Sequence, residues 1–208
     1  EVVTGLMLKD LMELKDLSMI DLALFAQLAE NEYMGMSCGI MDPFVIAMGK
    51  KDHAIFLDAS DLSYIYAPLA LPHEKIIITN SQKARLAVDE RYQERRAQCE
   101  KALKELQTVI AIRNLGELTA EVFEQVQEMI GNPVRLRRAR HAVTENQRTI
   151  QAVEALKRGD IFELGQLMNA SHLSLKEDYE VSCEELDILV EEAWDIDGVL
   201  GSRMMGAG

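Results

Sequence analysis

The stretch Lys75-Ile76-Ile77-Ile78-Thr79 divides the chain. Such a β-branched run is typical of a strand buried inside a sheet, and its composition predicts a strand there. Upstream, Ala54-Ile55-Phe56-Leu57 and Ser63-Tyr64-Ile65-Tyr66 also read as strands, with Pro68 and Pro72 interrupting the pattern. Downstream, every periodic segment is helical. Asp89 to Gln107 forms a charged amphipathic pattern; Thr119 caps a helix reaching Ile130, which Gly131 ends; Pro133 opens a long helix to Lys157, stopped by Gly159. Asp160 with Glu163, and Ser182 with Glu185, resemble capping boxes for two further helices. Strands and helices are segregated rather than alternating, which defines an α+β class. A boundary near residues 68–73 is expected, dividing the chain into 1–72 and 73–208.

The N-terminal part contributes helices as well. Leu6, Met7, Leu11 and Leu14 run at helical spacing, and Ser18 with Asp21 opens a second helix whose apolar face includes Ile20, Leu24 and Leu28 and which ends near Glu32. The chain begins Glu1-Val2-Val3 without a capping residue and stops on Gly201-Ser202-Arg203-Met204-Met205-Gly206-Ala207-Gly208, so the expectation is an internal piece of a longer protein.

Composition narrows the function classes. The 208 residues are enough for a real core, and no apolar run approaches the roughly 18 residues that span a bilayer, so no membrane partner is expected. Cys38, Cys99 and Cys183 are widely spaced with no CxxC pair, which supports neither a disulfide framework nor a zinc site and fits a reducing cytoplasm. A formal net charge of -13 argues against nucleic acid as a partner. The basic run Arg135-Leu136-Arg137-Arg138-Ala139-Arg140-His141 opposes that trend, but its arginines spread around a helix and read as a solvated face.

Candidate chemistry centres on Ser37-Cys38-Gly39-Ile40-Met41-Asp42-Pro43. Proline suits the first position of a helix and aspartate the cap before it, so Asp42 reads as a helix cap. The same geometry also suits a functional carboxylate, because the positive end of a helix dipole favours an anion that can attract a substrate proton. Glu30 ends the helix leading into this turn, and two carboxylates near one site are a common way to hold magnesium beside a phosphate. Tyr92 opens a densely charged helix just after Thr79-Asn80-Ser81 and reads as a packing residue with a polar tip. His141 and Glu145, like His172 and Lys176, share helix faces, but neither pair supplies the three or four ligands of a metal site. No glycine-rich loop leading into a helix is present to cradle phosphates.

Taken in order, several segments resemble the galactokinase family of the GHMP sugar and small-molecule kinases. They are Ala29-Glu30-Asn31-Glu32, Cys38-Gly39-Ile40-Met41-Asp42, Gly49-Lys50-Lys51-Asp52-His53-Ala54, Thr79-Asn80, Tyr92 with Glu94-Arg95-Arg96 and Cys99, Leu167-Met168-Asn169-Ala170-Ser171-His172, Asp178-Tyr179-Glu180-Val181-Ser182 and Gly201-Ser202-Arg203-Met204. The resemblance covers essentially the whole chain. It implies a two-layer GHMP-kinase architecture, with 1–72 the last part of the N-terminal domain and 73–208 the helix-rich part of the C-terminal domain. It further implies phosphorylation of D-galactose at the C1 hydroxyl with ATP as co-substrate and Mg2+ as cofactor, in a cytoplasmic monomer or weak oligomer. By analogy Asp42 is the active-site aspartate, Gly39 and Tyr92 contact the sugar, and Glu30 binds magnesium. The family's ATP loop is not in this chain, so the 208 residues alone are expected to be inactive. Pro43 stands where the family usually has Gln, Glu90 where it has Ser, Gln93 where it has Asn, and Met205 where it has Thr. These departures leave open two alternatives: a galactose-binding sensor or pseudokinase, and a kinase for a related sugar such as N-acetylgalactosamine.

Overall fold

The computed structural model describes residues 1–35, 38–83 and 88–206, and the side chains of 88–92 are outside the description. It divides into two units, Glu1–Pro72 and His73–Gly208.

In the first unit a Ser18–Asp21 capping box starts helix α2 (Met19–Leu28), each residue bonding the other's backbone, so two otherwise orphaned amides are satisfied. Helix α1 (Val2–Leu11) precedes it, and α2 continues directly into a π turn, Ala29–Tyr33. Helix α3 (Met41–Met48) then leads to an antiparallel pair, β1 (His53–Leu57) and β2 (Tyr64–Pro68), in which Ile55 faces Tyr66 and His53 faces Pro68. Ala23, Ile40 and Phe44 form the buried centre, with Ile55, Leu57, Leu62 and Tyr64 packed around it. Phe44 is fully buried and meets Tyr64 edge-on at 5.4 Å, while the Tyr66 hydroxyl donates to the Met48 carbonyl at 2.6 Å. Burial of a ring the size of Phe44 contributes about 2 kcal/mol, which anchors the start of α3.

The predicted strand at Lys75–Thr79 is not there. These residues have no regular structure, and Ile76, Ile77 and Ile78 are 67%, 82% and 76% exposed. A buried strand needs hydrogen-bonding neighbours on its edges, and among the described residues β1 and β2 pair only with each other.

The second unit is helical. Helix α6 (Pro133–Arg158) is its axis: Asn132 caps it by accepting from the Val134 and Arg135 amides, Pro133 occupies the first turn, and Gly159 ends it at φ 70°, a left-handed conformation open to glycine. One side packs on α4 (Val88–Leu106) and α5 (Ala120–Val126), burying Ala102, Leu106, Leu115, Leu118, Phe123, Ile130, Ala139 and Val143. Asp160 caps α7 (Ile161–Ser174), which runs into a second π turn, Leu175–Tyr179; α8 (Glu184–Trp194) follows. The expected Ser182–Glu185 box does not form. Cys183 is the residue before α8, and the Ser182 hydroxyl donates instead to Asp187, one turn further on. With one small antiparallel sheet and segregated helices among the described residues, the chain is α+β, as its sequence pattern indicates. No helix among the described residues is long and apolar enough to cross a membrane.

Candidate active site

In the first unit the π turn carries Glu30 and Asn31, and Asn31 acts as a clamp. Its Oδ1 accepts the Cys38 amide at 2.7 Å and its Nδ2 donates to the Cys38 carbonyl at 3.4 Å, joined by Gln27 Nε2 at 3.2 Å. The backbone before Gly39 is thereby tied to the helix bearing Glu30. Gly39 is exposed, with no heavy atom of the described residues within 4 Å of where a Cβ would stand, so its backbone is open to a ligand as far as those residues go.

Asp42 follows on α3, but not as its cap. Ile40 already has helical φ and ψ of -76° and -12°, and the first helical bond runs from the Phe44 amide to the Ile40 carbonyl at 2.9 Å. Asp42 is the second residue of the helix and Pro43 the third; both lie in the first turn, where backbone amides have no intrahelical partner, so proline costs nothing there. Pro43 and Phe44 turn inward while Asp42 stays exposed. The result is a solvent-facing carboxylate on a buried anchor at the positively polarised end of α3.

Glu30 is half-buried and carries no ion pair with any described residue. No cluster of three or more His, Cys, Asp or Glu side chains among the described residues could enclose a metal. Magnesium does not require such a cage; it keeps several waters and takes one or two carboxylates beside phosphate oxygens, so a single accessible Glu30 fits it. Tyr92 lies in α4, and its side chain falls outside the described residues.

In the second unit the basic run is not a solvated face. Arg138 is 1% exposed, donates to Gln98 Oε1 at 2.9 Å and to the Asp178 carbonyl, and pairs with Glu180. Arg95 donates to the carbonyls of Tyr179 and Glu180 at 2.7 and 3.3 Å, and Arg137 pairs with Glu180 at 2.7 Å. These arginines satisfy the end of the π turn, where Glu180 adopts a left-handed φ of 55°, costly for a residue with a Cβ. The signal in the sequence was a polar stripe: Arg138, His141, Glu145 and Arg148 recur at spacings of three, four and three along α6. It zips against α7, with Ser171 donating to Glu145 at 2.6 Å and Ser174 Oγ 2.9 Å from His141 Nδ1.

His141 is buried and stacked on Tyr179 at 4.3 Å. Burial, followed by the nearby Arg148, Arg203 and Arg138 charges, lowers its pKa from 6.5 to about 4. The unfolded state therefore takes up a proton near pH 6.5 that the folded state refuses until about pH 4, so stability falls as pH drops through that interval. The loss reaches about 3 kcal/mol by pH 4. Urea midpoints measured from pH 7 to 4 should show a slope that His141→Asn flattens; an unchanged slope in that variant would refute the assignment.

This geometry can be set beside known proteins. Residues 152–208 match the family described as GHMP kinases C terminal. The chain is 53% identical over 208 residues to a galactokinase of Clostridium acetobutylicum, covering 100% of this chain and 53% of that protein. It is 50% identical over 209 residues to one of Fusobacterium nucleatum, covering 100% of this chain and 54% of the relative. The crystal structure of Lactococcus lactis galactokinase complexed with galactose superposes with a TM-score of 0.95 at 43% identity, covering 100% of this chain and 53% of that one. Residues 152–208 in sequence, and the whole chain in fold, resemble a segment of a GHMP kinase. Within that class it is similar along its whole length to galactokinases, and it spans about half the length of the relatives it matches.

Proposed function

We propose that this chain is part of a galactokinase, which transfers the ATP γ-phosphoryl group to the C1 hydroxyl of D-galactose. Residues 1–72 belong to its N-terminal domain and 73–208 to its C-terminal domain. One observation carries the reading: Glu30, Gly39 and Asp42 lie on elements tied together through Asn31 and Gln27, in a chain that matches galactokinases along its whole length. Phosphoryl transfer is mainly positioning and charge stabilisation, so little covalent chemistry is asked of the protein. Asp42 is the acidic partner of the acceptor hydroxyl, polarising its O–H bond and receiving or attracting its proton as the oxygen attacks. The Gly39 backbone and the Tyr92 hydroxyl orient the sugar. Glu30 holds Mg2+, which when bound neutralises charge on the phosphates. The enzyme acts in the cytoplasm as a monomer or weak oligomer.

Pro43 removes a backbone donor next to Asp42, but that donor would lie in the first helical turn, and α3 forms around it intact. In the galactokinase carrying this sequence, Asp42→Ala should lower galactose-dependent ADP release about a hundredfold, with galactose binding by calorimetry largely retained. Near-normal turnover in the variant would remove Asp42 from the mechanism. Galactose and ATP binding without product in the unmutated protein would replace the kinase with a sugar sensor.

A further inference from the structure

The segment after α8 has almost no secondary structure of its own, yet it is held to α7 at successive rungs. Gly165, Asn169 and His172 fall at spacings of four and three along α7, on one helix face. At the first rung the Gly165 and Gly201 backbones touch: a Cβ on Gly201 would lie 2.3 Å from the Gly165 carbonyl oxygen. At the second, Asn169 Oδ1 accepts both the Trp194 indole N–H at 2.7 Å and the Ser202 amide at 2.8 Å. At the third, His172 Nδ1 accepts the Met204 amide at 3.3 Å, and both residues are buried, 1% and 2% exposed.

The third rung differs from the others in kind. An amide can only donate, so Nδ1 must present its lone pair and the ring proton must sit on Nε2, which faces Asp187 Oδ1 at 3.4 Å. Asp187 is itself held by Lys176 Nζ at 3.1 Å and by the Ser182 hydroxyl. The charged groups around the ring are Asp187 and Glu191 from α8, Lys176 from the π turn and Arg203 from the segment itself. Desolvation is the largest influence and lowers the imidazole pKa; Asp187 opposes it, while Lys176 and Arg203 add to it.

We propose that Asn169 and His172 are positioning residues that latch Gly201–Met204 onto α7, and that the His172 rung opens on protonation while the Asn169 rung holds. A proton on Nδ1 replaces the acceptor with a donor aimed at another donor, so the Met204 amide loses its partner and its neighbour becomes repulsive. The Asn169 amide does not titrate, so acid frees one end of the segment and not the other. The latch lies wholly within the second unit and does not depend on the kinase reading.

Amide exchange read residue by residue by NMR on the 208-residue chain tests it, with rates divided by the intrinsic exchange rate at each pH. From pH 7 to 4.5, Met204 protection should fall about tenfold more than that of Ser202 and of core amides such as Val143. His172→Asn, which keeps a neutral acceptor near the Nδ1 position, should abolish that pH dependence. Asn169→Leu should lower Ser202 protection about tenfold at pH 7, and Asn169→Asp, which keeps the acceptor, should restore it. Met204 protection that is independent of pH in the unmutated chain, or that only tracks the core amides, overturns the proposal; this measurement needs no variant to fold.

Discussion

Arg138→Ala should lower the unfolding free energy of the second unit by about 3–5 kcal/mol, read as a shift of the urea midpoint at unchanged slope. Arg138 is the largest fully buried side chain, and its guanidinium is bound to Gln98, the Asp178 carbonyl and Glu180. Truncation leaves a void, an unpartnered carbonyl at the end of the π turn and a left-handed Glu180 without its main restraint. The carboxylate of Glu180 is 44% exposed and can recover water, so most of the penalty falls on the buried neutral groups. Arg138→Met, which keeps the volume and loses the donors, should therefore cost less, about 1–3 kcal/mol. Arg137→Ala is the control: its side chain is 35% exposed, and loss of its pair with the same Glu180 should cost under about 1 kcal/mol. Equal effects at Arg137 and Arg138 would show that burial of the guanidinium is not what matters.

Gly165→Ala should cost about 3 kcal/mol, although it adds one methyl to a helix and raises helix propensity. That methyl would stand 2.2 Å from the Leu200 carbonyl oxygen and 2.5 Å from its carbon. Both are backbone atoms, which cannot rotate away, so the segment must retreat by roughly an ångström to restore a van der Waals distance. Retreat lengthens the Asn169–Ser202 bond as well. Gly201→Ala meets the Gly165 carbonyl at 2.3 Å and should cost a similar amount. Because either methyl forces the same separation, the double variant should be little worse than either single one. Thermal unfolding of the two singles and the double decides this; additive losses would mean that the glycines act independently.

Helix ends were the most legible part of the fold because their chemistry is local. Ser18 with Asp21, Thr119, Pro133, Gly159 and Asp160 each act within a few residues of themselves, and each marks a helix end in the structure. The paired strands at residues 53–57 and 64–68 were legible for the same reason, since a short connection joins them. The run at 75–79 departs from its pattern because composition states a preference for burial, while a strand also requires an edge to pair with. The carboxylates Glu30 and Asp42 were visible as residue types in a pattern, but the side-chain clamp from Asn31 and Gln27 to Cys38 was not, since it spans a turn whose geometry no local rule predicts.

The arginine run shows where the division lies. Composition and periodicity were sufficient for the α+β class and for the helix starts and stops, because these depend on neighbours in the chain, and ordered short motifs alone carried the family resemblance. Which of the four arginines in the run is buried depends on what α7 and its π turn bring against it. Asp178 and Glu180 lie some forty residues from Arg138 in the chain. The same holds for His172 and Met204, whose bond joins residues thirty-two apart. Desolvation and hydrogen-bond partnership are properties of the assembled neighbourhood, so the ionic core of the second unit and the latch on Gly201–Met204 came into view only with the packed helices.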